Sequence, residues 1–155
     1  MKYKVEVEKK TFTERYSKIL LGNILTVVFI VLCALVKENF QFDISDDIIY
    51  MCMFALGLWL IYNSRNWNKI YIYEINCDED ILSINYFYFN ELKKYSFNKG
   101  DIKIVKERVP VRSFTPKFKL VLMQGGFSVT QYSNAEWDNN KIDDVYNNLI
   151  KWQNG

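Results

Sequence analysis

The feature that most constrains this chain is a pair of apolar runs near its start. The first, Ile19–Val36, has 18 residues without a charged side chain, and the second, Ile48–Tyr62, has 15. A helix over the first run is about 27 Å long, close to the thickness of a bilayer core. No small-residue cleavage site follows Val36, which argues against a signal peptide. The runs predict a transmembrane helical hairpin over residues 19–64, with a buried core helix as the alternative for the second.

Charge around the runs predicts an orientation for this hairpin. Residues 1–18 carry six Lys and Arg side chains, whereas the connecting segment 37–47 carries one against four acidic residues. Lys and Arg accumulate on the cytoplasmic side of membrane proteins. The sequence therefore predicts an integral protein of the cytoplasmic (inner) membrane with both termini cytoplasmic. Asn23, a polar side chain within the first run, is predicted to make a helix–helix contact in the membrane.

The rest of the chain alternates apolar and polar residues in the manner of β-strands. The N-terminal stretch of residues 3–8 alternates as well and is a candidate strand of the same sheet. A polar stretch, Asn90–Lys94, predicts a turn, and Gln124-Gly125-Gly126 is the clearest hairpin signal. Strands are predicted over Ile70–Asn76, Ile81–Phe89, Tyr95–Phe97, Ile102–Val109, Phe118–Met123 and Phe127–Tyr132.

Near the C-terminus the period changes to that of an amphipathic helix. The residues at i, i+3, i+4 and i+7 are Ile142, Val145, Tyr146 and Leu149. A capping box at residues 133–136, or else Asn139 or Asn140, is predicted to start this helix. Trp137 and Trp152 are predicted to anchor its packing.

These patterns predict a membrane α + β protein in three parts. Residues 1–18 form a cytoplasmic segment with a candidate strand, residues 19–64 the transmembrane hairpin, and residues 65–155 a cytoplasmic β domain. The predicted fold is an N-terminal transmembrane helical hairpin followed by a small antiparallel β-sandwich or barrel with a C-terminal helix.

The layout resembles that of the bacterial pleckstrin-homology-like (PH-like) membrane proteins, in particular the YcxB-like group. The similarity lies in the segment KYKVEVEKKTFTERYSKIL, the two-helix hairpin after it, the strands from Ile70, the turn and strand at Lys99–Ile102, and the ending FKLVLMQGGFSVTQYSNAEW…IDDVYNNLIKW. The similarity covers nearly the whole chain, and it lies in the layout and residue pattern, with no diagnostic signature motif. It implies a PH-like β domain, and it implies little about activity because most such proteins have no known function.

Several kinds of active site have no support in the sequence. The chain has no histidine, and its three cysteines form no C-x-x-C pair, so neither a His-based triad nor a zinc ribbon is predicted. Cys77 precedes Asp78, Glu79 and Asp80, a setting that disfavours a thiolate. No catalytic residue, metal or cofactor is predicted, and the chain is not predicted to be an enzyme.

Charge is the strongest local signal for a binding surface. Residues 93–119 carry nine basic side chains and only two acidic ones. This basic segment consists of Lys93, Lys94, Lys99, Lys103, Lys106, Arg108, Arg112, Lys117 and Lys119. Three interpretations remain open: a solvated face whose lysines protect strand edges, contact with anionic membrane lipids, or binding of a small anionic or nucleotide ligand or an acidic protein. For a phosphorylated ligand, Arg108, Arg112 and Phe114 are the candidates, and nucleic acid is disfavoured.

Two functional hypotheses follow. The first is a non-enzymatic, membrane-anchored binding module whose PH-like domain recognises a protein partner or anionic lipid. The second is a membrane protein of bacterial conflict, either an immunity protein against a membrane-acting toxin or a ligand-gated antiphage effector that disrupts membranes. A protein partner or a homo-oligomer is expected in both.

Overall fold

The chain divides into two compact units. One combines Met1–Phe12 with Asn68–Gly155, and the other is Thr13–Trp67. The computed structural model describes residues 2–17, 46–110, 117–134 and 136–155, together with the single positions 21, 24 and 28.

The first unit is built from antiparallel strands in two sheets. β1, β2, β3 and β4 form a four-stranded sheet in that order, and β5, β6 and β7 form a three-stranded sheet. The strands are β1 Tyr3–Glu6, β2 Ile70–Cys77, β3 Ile81–Tyr88, β4 Glu91–Asn98, β5 Lys103–Val109, β6 Lys117–Gln124 and β7 Phe127–Tyr132. The antiparallel strands predicted from the alternation are therefore confirmed, and the N-terminal stretch pairs with β2, Tyr3 lying opposite Cys77.

Alternation along each strand places its apolar side chains in one core between the sheets. The cross-strand pairs Ile75–Ile84 and Leu122–Val129 show the pattern, one from each sheet. The largest fully buried side chains are Trp137, Trp152, Tyr71, Phe97, Ile72, Ile75, Leu82, Ile84, Leu120, Leu122, Ile142 and Leu149. The register of β2 against β3 shifts between Ile72 and Glu74, so β2 is irregular in the middle of the sheet.

The C-terminal helix, α2, spans Asn139–Asn154 and contacts β1, β5 and β6. Its buried face consists of Ile142, Val145, Leu149 and Trp152, as the period predicts, with Tyr146 half-buried. The predicted capping box at residues 133–136 is wrong, whereas the alternative start at Asn139 is confirmed. Asp138 is the N-cap, and its carboxylate accepts a 2.7 Å hydrogen bond from the backbone N–H of Lys141.

The second unit contains all of α1 except its last residue; this helix spans Asp46–Asn68. Residues 12–17 are also helical, as are positions 21, 24 and 28. Large apolar side chains are exposed on both stretches of helix. They are Leu21, Ile24, Val28, Met51, Phe54, Leu56, Leu58, Trp59, Ile61 and Tyr62.

The predicted transmembrane hairpin is wrong. Among the residues that the structure describes, no helix has the length and apolar character needed to cross a membrane. A span needs about 20 consecutive, mostly apolar residues. The apolar run in α1, Ile48–Tyr62, has 15, and it is followed by Asn63, Ser64 and Arg65. The integral inner-membrane location was predicted from this hairpin, so that prediction is wrong for the same reason. Asn23 and most of the first apolar run lie outside the described residues.

Candidate binding surface

β4 is the most exposed strand of the four-stranded sheet and forms one of its edges. The sequence predicted a turn over residues 90–94 and a strand over residues 95–97 only. Instead, the turn occupies positions 89 and 90, and Tyr88 already pairs with Glu91. Phe89 adopts a left-handed backbone conformation there, with φ of 55°. The polar run ELKK therefore belongs to the strand.

The register determines which backbone groups of β4 face away from β3. In a hairpin with a two-residue loop, the closing pair exchanges its backbone hydrogen bonds, and bonded pairs then alternate. The closing pair is Tyr88–Glu91. The residues of β4 that turn N–H and C=O outward are therefore Leu92, Lys94, Ser96 and Asn98. Asn98 fits this assignment because its N–H donates to the side chain of Gln124 at 3.0 Å, away from β3.

Within the described part of the chain, side chains contact this outer edge at its Asn98 end. At Asn98, the amide of Gln124 bonds the backbone and also reaches Asp101 at 3.3 Å. Phe127 stacks on Tyr95 with ring centroids 3.8 Å apart. Within the described ranges, no strand pairs with the outer edge of β4. The backbone groups of Leu92, Lys94 and Ser96 are thus the open part of the edge.

The side chains around this open edge are basic and apolar. Leu92 is 64% exposed, and Lys93 and Lys94 are exposed beside it. Lys93 forms an ion pair of 3.1 Å with Glu91 and lies over the ring of Tyr88. We define the β4 edge surface as Leu92, Lys93, Lys94 and Ser96.

Lys94 shares the outer face of the sheet with polar side chains. It lies opposite Asn85, whose amide donates a 2.7 Å hydrogen bond to Glu74. This bond, together with Lys4 at 3.2 Å, holds the pKa of Glu74 below its usual value. Next along the face, the hydroxyls of Ser83 and Ser96 lie 3.2 Å apart. The Glu74 carboxylate is therefore bonded to Asn85 and Lys4.

The other described residues of the predicted basic segment lie on the three-stranded sheet or in the turn after β4, whereas Lys93 and Lys94 lie on the four-stranded sheet. Lys106 on β5 pairs with Asp143 of α2 at 2.8 Å, and Lys119 on β6 pairs with Glu107 at 2.7 Å. The first ion pair connects β5 to α2, and the second connects β6 to β5. Arg112 and Phe114 lie outside the described residues.

The remaining basic side chains have separate positions. Lys99, in the turn after β4, lies over the ring of Trp152. Lys103 and Arg108 are exposed on β5, and Lys117 is half-buried on β6. Lys103 and Lys117 point to one face of the three-stranded sheet, and Arg108 points to the other. The structure thus brings together only Lys93 and Lys94 beside an open edge.

An acidic cleft, which the sequence did not predict, lies between the stretch after β1 and the start of α2. Its volume is about 500 Å³, and its lining residues are Glu6, Val7, Glu8, Glu136, Asp138, Asn140, Lys141 and Asp144. Lys10 forms ion pairs with Glu8 and Glu136. The cleft was missed because its carboxylates come from opposite ends of the chain and meet only in the folded unit.

Cys77 in the core and Tyr3 beside it are held in their neutral forms. Burial raises the pKa of the Cys77 thiol to about 12, with Asp78 adding to the effect. The predicted suppression of the thiolate is confirmed, although burial is its larger cause. Burial likewise raises the pKa of Tyr3 to about 12. Among the described residues no group of acidic, Cys or His side chains has the geometry of a metal site.

Comparison with known proteins adds no assignment. No protein-family model matches the chain, and no curated protein is significantly similar to it. The resemblance to the PH-like, YcxB-like group therefore stays a prediction.

Proposed function

We propose that this chain is a non-enzymatic binding module that recognises an acidic segment of a protein partner at the β4 edge surface. The observation that carries the proposal is an edge strand on which, among the described residues, Leu92, Lys94 and Ser96 keep unpaired backbone groups beside two exposed lysines, Lys93 and Lys94. Protein surfaces that bind others combine such charge with an apolar contact, which Leu92 supplies here.

The charges near this surface favour an acidic partner. Glu91 offsets part of the charge of Lys93, but within the described residues Lys94 has no acidic side chain in ion-pair contact. Exposed charges of one sign raise the association rate of an oppositely charged segment and reject segments of like charge.

A charge-reversal experiment tests this proposal. The probe is a fluorescein-labelled decapeptide of alternating glutamate and valine, compared with a decapeptide of alternating lysine and valine. We expect the chain to bind only the acidic peptide, and the double variant Lys93→Glu/Lys94→Glu to bind it about tenfold more weakly, a change of ~1.4 kcal/mol. Fluorescence anisotropy at low and high salt measures both, and the affinity should fall as salt screens the charges.

A second double variant has the same net charge as Lys93→Glu/Lys94→Glu and serves as its control. Lys2→Glu/Lys151→Glu reverses two exposed lysines, one before β1 and one in the last turn of α2. This control should bind like the original chain. Equal weakening in both double variants, or no binding of the acidic peptide, refutes the proposal. Binding of vesicles of phosphatidylglycerol without binding of the peptide also refutes it, because the partner is then an anionic lipid.

A further inference from the structure

We infer that the acidic segment binds by adding a strand to β4, with backbone hydrogen bonds to Leu92, Lys94 and Ser96. This inference rests on the proposed function and specifies how that surface recognises its partner. An extended peptide that joins a sheet edge obtains affinity from the main chain and specificity from its alternate side chains. The β4 edge offers both. The outward N–H and C=O groups of Leu92, Lys94 and Ser96 can bond the main chain of the segment, and the exposed side chains of β4 can contact its side chains.

The open length of the edge defines the size of the segment. The Asn98 end is closed by Gln124, which bonds the backbone N–H of Asn98 at 3.0 Å. The other end is closed by the turn at positions 89 and 90. Between them, each of Leu92, Lys94 and Ser96 contributes one N–H and one C=O. A segment of about five residues in extended conformation spans this length at ~3.3 Å per residue.

The lysines on the edge select which strand can join. An exposed edge strand pairs readily with other chains, and lysines on it are a common protection. Two copies of β4 placed edge to edge would bring Lys93 and Lys94 against the same residues of the second copy. An acidic strand converts that repulsion into attraction. The same two residues therefore reject self-pairing and admit an acidic partner, which is how specificity against a competitor is often obtained.

The sheet also predicts the side-chain pattern of the partner. Leu92, Lys94 and Ser96 lie on the outer face of the sheet, opposite Phe87, Asn85 and Ser83 of β3. An added residue opposite Lys94 shares that face, and a glutamate there faces the ammonium group. Lys93 lies on the other face, where Glu91 already pairs with it. The expected segment is thus extended, with acidic residues on the face of Lys94 alternating with apolar residues on the other face.

Backbone methylation of the probe separates strand addition from charge attraction alone. In an antiparallel pair with glutamate opposite Lys94, the glutamate N–H groups point toward β4 and the valine N–H groups point away. We compare the alternating peptide with two versions, one N-methylated on every glutamate and one on every valine. We expect only one methylated version to bind about tenfold more weakly, a change of ~1.4 kcal/mol. If the segment adds antiparallel to β4, the weaker peptide is the one methylated on its glutamates.

A substitution in β4 provides the complementary test. Ser96→Pro removes an N–H that points away from β3, so the ladder to β3 keeps its hydrogen bonds. Ser96→Ala removes the same hydroxyl and keeps the N–H, and serves as the matched control. We expect about tenfold weaker peptide binding for the proline variant relative to the alanine variant. Circular dichroism of both variants shows whether the sheet is intact, and the methylated peptides test the original chain if the proline variant unfolds.

The outcomes distinguish this inference from the function on which it rests. Weaker binding in Lys93→Glu/Lys94→Glu with equal affinity for all three peptides overturns strand addition and leaves the binding module standing. Loss of binding with only one methylated set supports strand addition. Unchanged binding in the charge-reversal variant overturns both.

Discussion

The side-chain oxygen of Gln131 accepts a 2.8 Å hydrogen bond from the backbone N–H of Ile72, and both residues are fully buried. Ile72 lies where the register of β2 shifts, so the regular ladder is interrupted at this point. Its carbonyl is bonded by the indole N–H of Trp137 at 2.7 Å. Two side chains of the β7 region therefore bond the backbone of the irregular strand, and they connect the two sheets through the core.

Replacing Gln131 with leucine should destabilise the fold by about 2 kcal/mol, because a buried N–H then loses its partner. The variant also loses the bonds that the Gln131 amide donates to Tyr132 and Asn134. Urea unfolding followed by circular dichroism measures the change. Ser128→Ala, an exposed position on the same strand, should leave the free energy of unfolding unchanged. Equal stability of the two variants would contradict the structural role of Gln131.

Trp137→Phe should destabilise the fold by about 2 kcal/mol, since it leaves the buried carbonyl of Ile72 unbonded and a small cavity beside it. Trp59→Phe is the matched control, because Trp59 is 58% exposed on α1. Thermal unfolding of both variants measures the difference. A similar shift in Tm for the two would show that the indole hydrogen bond contributes little.

The ion pair between Lys106 and Asp143 should contribute about 0.5–1 kcal/mol to stability, because both groups remain partly exposed. Lys106→Met keeps an unbranched side chain and removes the ammonium group, which also lies over the rings of Phe118 and Tyr146. A double-mutant cycle with Asp143→Asn isolates the pair. The same Lys106→Met variant should bind the acidic peptide as the original chain does, and weaker binding would assign this lysine to the binding surface.

Raising the pH above about 9 should destabilise the fold through Cys77. The thiol has an ordinary pKa of 9.0 in the unfolded chain and a pKa of about 12 when folded. Between these values the unfolded chain releases a proton that the folded chain retains, so stability is complete below the lower pKa and falls as the pH rises. Urea unfolding at about pH 8 and about pH 10.5 should show a smaller decline for Cys77→Ala than for the original chain. An equal decline would remove Cys77 as a cause.

Some elements could be predicted because their signals are local. The hairpin of β6 and β7 turns at Gly125, whose φ of 59° favours glycine, and the Gly-Gly pair announces it. The buried face of α2 follows from the spacing of Ile142, Val145 and Leu149, since a helix places such residues on one side whatever surrounds it.

Other elements could not be predicted from local signals. The first half of β4 carries no apolar alternation, because an edge strand exposed on both faces buries almost nothing there. The N-cap at Asp138 was missed since Ser, Asn and Asp side chains nearby offer competing caps. The apolar run of α1 indicated a membrane span. It is shorter than a full span, so the helix could cross a membrane only if the residues at its ends were also apolar, and they are polar.

The sequence by itself determined the alternating strands, their antiparallel pairing through short turns, the amphipathic C-terminal helix and the excess of basic residues after position 92. Only the tertiary structure decided that β4 is an open edge, that Lys106 and Lys119 are held in ion pairs, and that Gln131 bonds Ile72. The physical reason is the range of the interactions. Periodicity and turn geometry act between near neighbours, whereas burial, pairing and exposed charge depend on residues far apart in the chain.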